Sequence, residues 1–286
     1  MKQVKTICVC GAGTMGSGIA QVAAQAGFNT IQFDVNGAML AKSRAGIEKS
    51  LQWLLDKGKI SIAEQNSCLQ RIRFTDQLAD CVADVVIEAI IEQKEAKVAL
   101  FSQLAAINTS ATIFATNTSS IAVGDIASAI DKPGRVIGMH FFNPAPVMKL
   151  VEIVKAQHTE IKTVQTIVDL AVAMGKTSVV CIDAPGFIVN RVARHYYLEA
   201  MKLVEEGAAT IETIDTVMEA SGFKMGPFKL MDLIGMDINL GVSTIVWEAL
   251  GKPERLMPAS IQKEKVAAGE LGRKTGKGFY EYGGNS

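Results

Sequence analysis

Val4-Lys5-Thr6-Ile7-Cys8-Val9-Cys10-Gly11-Ala12-Gly13-Thr14-Met15-Gly16 opens the chain with a short, strand-like apolar run that passes directly into a Gly-x-Gly-x-x-Gly turn. A helical pattern of small residues follows through Ala26. The three glycines alone are weak evidence, but a strand before them and a helix after them are the context the motif requires. Gly11 permits the tight turn, Gly13 lets the backbone approach a pyrophosphate, and Gly16 lets helix and strand pack closely. With Thr14 and Met15 the loop presents backbone N–H groups at the positive end of the helix, where phosphate is favoured. The next strand-like run, residues 30–34, ends at Asp34, 18 residues after Gly16. There a carboxylate reaches the hydroxyls of an adenosine ribose. A 2′-phosphate would meet Asp34 as a like charge, and Val35-Asn36-Gly37 supplies no arginine, so NAD is favoured over NADP. The bland alternative, a tight turn without a ligand, accounts for the glycines but not for the acid that follows them.

Outward from this unit, short β-branched runs at residues 84–88, 112–116, 135–140, 149–154 and 177–182 alternate with helical patterns. The alternation predicts an α/β, Rossmann-type, mostly parallel sheet covered on both faces. Residues 38–57 and 61–71 form two polar helical stretches between the second and third runs. They are far longer than a crossover needs, and a projecting helical arm is expected. At Asp183-Ala184-Pro185-Gly186 the character changes. Everything beyond reads helical, at residues 188–206, 211–221, 230–250 and 254–268, with Gly207, Gly222, Pro227 and Pro253 as stops. The expected division is an NAD-binding domain over residues 1–184 and an all-α C-terminal domain over residues 185–286. Met225, Phe228, Leu230, Met231, Leu233 and Ile234 crowd more apolar surface into the latter than a small interior needs, which predicts a homodimer through it.

Composition removes several classes. In 286 residues, 29 basic side chains balance 29 acidic ones, so no global field favours nucleic acid or an anionic membrane. A strand-like run near the start leaves no room for a secretion signal in this sequence, and no stretch is apolar enough to span a bilayer, so a cytoplasmic location is expected. The five cysteines include no Cys-x-x-Cys pair, which argues against disulfides and a structural metal. Cys8 and Cys10 share one strand face and are expected to pack in the core.

Three histidines offer a proton acceptor near neutral pH. His158 lies among Lys155, Gln157, Glu160 and Lys162, and His195 beside Arg191 and Arg194, both reading as surface positions. His140 stands instead at the carboxyl end of a strand, the edge beyond which open α/β sheets bind ligands. Glu152 is a carboxylate within the apolar run Lys149-Leu150-Val151-Glu152-Ile153-Val154. It either partners His140 across a neighbouring strand or lies at a polar edge. Asn117, Ser119 and Ser120 follow another strand end, while Asn190 and Arg191 open the second domain. Each group read alone suits helix capping. Together they are expected to face one substrate crevice.

These residues resemble a known family, the L-3-hydroxyacyl-CoA dehydrogenases, and in particular its short-chain bacterial 3-hydroxybutyryl-CoA members. The likeness covers the whole chain and rests on the glycine loop, Asn117-Thr118-Ser119-Ser120, Gly138-Met139-His140-Phe141-Phe142-Asn143-Pro144, Pro185-Gly186-Phe187-Ile188-Val189-Asn190-Arg191 and the tail residues 272–280. The resemblance implies NAD-dependent oxidation of a 3-hydroxyacyl-CoA, with a His140–Glu152 dyad and with Ser119 and Asn190 at the reacting oxygen. It further implies NAD contacts from Glu92, Lys97, Asn117, Ser119, Asn143 and Lys274, and coenzyme A contacts from Ser50 and Lys57 on the arm, where Lys57-Gly58-Lys59 is a local positive patch. Gln93 departs from the asparagine many relatives carry. Two rivals share the cofactor fold: a β-hydroxyacid dehydrogenase acting on a free acid through a lysine, and a noncatalytic NAD-binding protein. Asn190 in place of a lysine argues against the first, and the set Ser119, His140, Glu152 and Asn190 against the second.

Overall fold

The computed structural model describes residues 4–128 and 130–283, and the chain divides into two compact units, Met1–Ala184 and Pro185–Ser286. The first unit carries β1 (Thr6–Cys10), α1 (Thr14–Gln25), β2 (Asn29–Phe33), α2 (Gly37–Asp56), α3 (Ile62–Gln70) and β3 (Ile72–Thr75). It continues through β4 (Val85–Glu88), α4 (Lys94–Ile107), β5 (Ile113–Thr116), α5 (Val123–Ala127), β6 (Val136–Phe141), β7 (Leu150–Lys155), α6 (Ile161–Ala173) and β8 (Thr177–Ile182). All eight strands form one sheet in the order β3-β2-β1-β4-β5-β6-β7-β8.

Every pairing is parallel except β6 with β7. The connection between those two is residues 142–149, too short for a helical crossover, so the chain can only turn back on itself. Ile7, Val9, Ile87, Ala115, Ile137, Met139, Val151 and Ile153 pack with Ile19, Ala23, Ile167 and Leu170 of α1 and α6 on one face. Each fully buried Ile, Leu or Val contributes about 1.5–3 kcal/mol. On the opposite face Phe101 of α4 meets Phe114 of β5, ring centroids 5.3 Å apart. Cys8 and Cys10 are buried with their sulfurs 3.8 Å apart, in the core as expected, and all five cysteines are free.

The arm is α2 and α3, the latter opened by a capping box between Ser61 and Glu64. It is anchored by its own small core, in which Ile47, Leu51 and Cys68 meet Ala24 and Ile72. The strand that follows, β3, was not anticipated from sequence: four residues, with Arg73 exposed in the middle, carry too little apolar pattern to announce a strand. Its partner β2 supplies the missing information.

The second unit contains α7 (Val189–Glu205), α8 (Ile211–Ala220), α9 (Pro227–Ile234), α10 (Met236–Ala249) and α11 (Ser260–Ala267). The single helix expected over residues 230–250 is two, bent by 100° at Gly235, whose φ of 104° no right-handed helix accommodates. Pro227 begins α9 rather than stopping a helix, as its preset φ suits a first turn. The helix expected from residue 254 begins at Ser260, beyond Pro258. Tyr197, Met201, Phe228, Met231, Met236 and Val246 fill the core of this unit. No single described helix is long and apolar enough to cross a membrane.

Candidate active site

Parallel register carries Cys10, Glu88, Thr116 and Gly138 onto one level across β1, β4, β5 and β6. The segments just beyond that level are the glycine loop, residues 89–93, residues 117–122, and the last turn of β6 with His140. The ligand-facing edge of the sheet is therefore assembled from residues distant in sequence.

In the glycine loop Gly11 has φ 107° and lies so close to residue 89 that an added Cβ would be 2.4 Å from the Ala89 carbonyl oxygen. A Cβ on Gly16 would be 1.9 Å from the Gly11 oxygen, whereas one on Gly13 would meet nothing within 4 Å. Two glycines thus serve the packing, and the third leaves open space at the start of α1. No side chain caps that helix and no acid lies in its first turn. Thr14 is exposed and Met15 half-buried. Asp34, one residue past β2, accepts from the Ala12 N–H at 2.7 Å and from the Asn36 N–H at 2.9 Å, which ties the second strand end to the loop. Open backbone amides at a helix start, with a carboxylate at the next strand end, fit the pyrophosphate and ribose of NAD.

His140 and Glu152 are directly paired across the antiparallel β6–β7 ladder, so their side chains share a face. His140 Nδ1 is 2.8 Å from Glu152 Oε2, and the residues are 6% and 1% exposed. The polar-edge reading of Glu152 is excluded by that burial. An ionised carboxylate only accepts, so Nδ1 is the donor to it, and in the neutral imidazole the lone pair is then on Nε2. The Phe142 ring packs against the imidazole, centroids 4.6 Å apart. His158 and His195 are exposed.

The loop after β5 is bound by Glu92. Its Oε1 accepts from the Thr118 hydroxyl (2.5 Å), the Ser119 N–H (2.9 Å), the Ser120 N–H (3.2 Å) and the Ser120 hydroxyl (2.9 Å). Its Oε2 meets Lys97 Nζ at 3.1 Å. Burial pushes the Glu92 carboxyl up, but the charge of Lys97 and the donors from Thr118, Lys97 and Ser120 outweigh it and hold the group below the ordinary carboxylate range. The Asn117 carboxamide oxygen accepts from the Phe141 N–H at 2.8 Å, linking this loop to the end of the histidine strand. The capping reading of the cluster does not hold: the Gly124 N–H at the start of α5 is bound by Asp183, and Ser119 is left half-buried in the loop.

Other expected residues lie elsewhere. Asn143 is exposed just beyond β6. Ser50 is half-buried on α2 and Lys57 exposed at its C-cap, and α2 itself packs against α1, α3 and β3. In the second unit Asn190 lies in the first turn of α7, its carbonyl accepting from Arg194, and Lys274 pairs with Asp237. Glu88 escaped the sequence reading. It is fully buried at the end of β4 and bound to Lys97 and Thr116. The signal that drew attention to Glu152, a carboxylate attached to an apolar run, was present there too, at the end of Val85-Val86-Ile87-Glu88 rather than inside it.

The family model for the 3-hydroxyacyl-CoA dehydrogenase NAD-binding domain matches residues 6–184, and that for the C-terminal domain of the same family matches residues 186–282. The chain is 44% identical over 284 residues to 3-hydroxyadipyl-CoA dehydrogenase of Escherichia coli (strain K12), covering 99% of this chain but 60% of that protein. It is 41% identical over 288 residues to the mitochondrial hydroxyacyl-coenzyme A dehydrogenase of Homo sapiens, 98% of this chain and 91% of the relative. The solved (S)-3-hydroxybutyryl-CoA dehydrogenase of Ralstonia eutropha superposes with a TM-score of 0.95 at 38% identity, covering 99% of this chain and all of that one (100%). Matched across both units by sequence and by fold, this chain belongs to the 3-hydroxyacyl-CoA dehydrogenase family, with its first unit as the NAD-binding domain.

Proposed function

We propose that this protein catalyses the reversible NAD-dependent oxidation of an (S)-3-hydroxyacyl-CoA, with 3-hydroxybutyryl-CoA as the probe substrate, to the 3-oxoacyl-CoA. The observation that carries the reading is the buried His140–Glu152 pair at the same sheet edge as the glycine loop. The loop 11–16 and Asp34 would hold NAD, which would supply the acceptor for the hydride leaving C3. His140 Nε2 takes the 3-hydroxyl proton, and Glu152 stabilises the imidazolium that results. Run in reverse, the imidazolium returns that proton to the 3-oxo oxygen. The Ser119 hydroxyl is read as a donor to the reacting oxygen, and Asn117, Glu92, Lys97 and Asn143 as the cofactor side of the site. Asn190, Lys274, Ser50 and Lys57 are proposed as ligand contacts on the family likeness alone.

NADH oxidation with acetoacetyl-CoA, run beside NADPH, free acetoacetate and the His140→Gln variant, tests the reading. Rapid turnover of the thioester with NADH, lost in the variant, is expected. Activity on the free acid only would transfer the protein to the β-hydroxyacid dehydrogenases, and NADH binding without turnover would make it noncatalytic. We further read the protein as a cytoplasmic homodimer formed through residues 185–286. Val192, Val217, Phe223, Leu233 and Ile238 are exposed there, and the free cysteines suit a reducing compartment. A monomer in sedimentation at micromolar concentration would exclude the dimer.

A further inference from the structure

Glu88 and Lys97 are 0% and 1% exposed, two opposite charges in the interior of the first unit. Apolar replacement of such a pair is often neutral or stabilising, so fold stability alone does not account for it. Its connections are specific. Glu88 Oε1 accepts from Lys97 Nζ at 2.6 Å and from the Ile90 N–H at 2.7 Å, and Oε2 accepts from the Thr116 hydroxyl at 2.7 Å.

Two chains of hydrogen bonds leave this carboxylate and end on the same loop. One passes through Lys97 to Glu92, and from Glu92 to the Thr118 hydroxyl and the Ser119 and Ser120 amides. The other passes through the Thr116 hydroxyl, which donates to Glu88 and accepts from the Thr118 N–H at 3.3 Å. Thr118 closes the loop in turn by accepting from the Ser120 and Ile121 amides. The Ile90 contact also holds the 89–90 backbone that abuts Gly11.

We propose that Glu88 is a positioning residue: through Lys97, Glu92 and Thr116 it sets the conformation of residues 117–121 and with it the direction of the Ser119 hydroxyl. The inference rests on the dehydrogenase reading above for the role of Ser119, but its structural content does not. Lys97 on this view acts through the two carboxylates it joins.

The test uses Glu88→Gln, Lys97→Met and the double variant of the full-length protein, the last keeping buried charge balanced. Amide hydrogen exchange at Ser119 and Ser120 should quicken about tenfold or more in the double variant, while exchange in β6 before Phe141, whose N–H Asn117 holds, stays at wild-type rates. In parallel, kcat on acetoacetyl-CoA should fall by about 10- to 100-fold, the loss expected of a small misplacement, with KM for the thioester nearly unchanged. Wild-type exchange at Ser119 and Ser120 in the folded double variant overturns the proposal whatever the turnover. Exchange raised equally in β6 overturns it too, because it shows general destabilisation. If the double variant does not fold, Glu88→Gln is judged by the same criteria. Absence of turnover in the wild-type protein would instead sink the dehydrogenase reading, and the exchange data would still decide the place of Glu88.

Discussion

His140 and Glu92 show how neighbouring side chains assign a task to a single titratable group. Glu152 fixes which imidazole nitrogen carries the proton, and His140→Gln should lower turnover by about two to four orders of magnitude while NADH binding is unchanged, as read by fluorescence titration. Glu92 is held below the ordinary carboxylate range, so its bonds to the 118–120 loop contribute stability that is present above the unfolded pKa of about 4.3. That contribution is lost as pH falls through the lower folded value. An NMR titration of the Glu92 carboxyl carbon should give a midpoint below that of an unperturbed glutamate. Lys97→Met should move it upward, and an unmoved midpoint would show that the lysine charge is not what holds it.

At the scale of elements, the β1–α1 turn separates two duties that the motif leaves merged. An alanine at Gly16 would collide with the Gly11 carbonyl, and Gly16→Ala should cost several kcal/mol, about the penalty of overpacking a rigid site, measured by denaturant unfolding. Gly13 has an extended backbone and an open Cβ position. Gly13→Ala should therefore lose less than about 1 kcal/mol of stability, yet raise the Kd for NADH at least about tenfold by filling the approach of the phosphates. Equal effects of the two substitutions on folding would contradict this division. The β6–β7 pair is the second decisive element. Its antiparallel register turns two residues 12 apart into direct neighbours.

Across the whole molecule, two units with separate cores imply separable responses to mutation. Asp232 in α9 accepts from the Phe279 and Tyr280 amides at 2.9 Å and from the Tyr282 hydroxyl at 3.0 Å, which anchors residues 279–282 to α9. Gly278 lies against the same carboxylate. Asp232→Ala leaves these donors unmatched and should destabilise the second unit by about 2–4 kcal/mol. The first unit, whose core is separate, should keep its own melting transition, and calorimetry would show whether the effects separate.

Much of this protein was legible in its residues alone. The strand, glycine turn, helix and acid of residues 4–34 announced the cofactor fold because each step has a local steric cause. His140 stood out by its place at a strand end, and the change of character at Pro185 marked where the helical unit begins. Sequence could not choose between the two readings of Glu152, because burial and pairing depend on which strand lies opposite and in which direction. Nor could it reveal Glu88, whose partners lie on α4 and β5, or the break at Gly235, since glycine in an apolar helical pattern tolerates both continuation and a bend. Local conformation follows from the order of residues. The Glu88–Lys97–Glu92 network, the dyad and the helix break follow from contacts between segments far apart in the chain, and only the folded structure decides those.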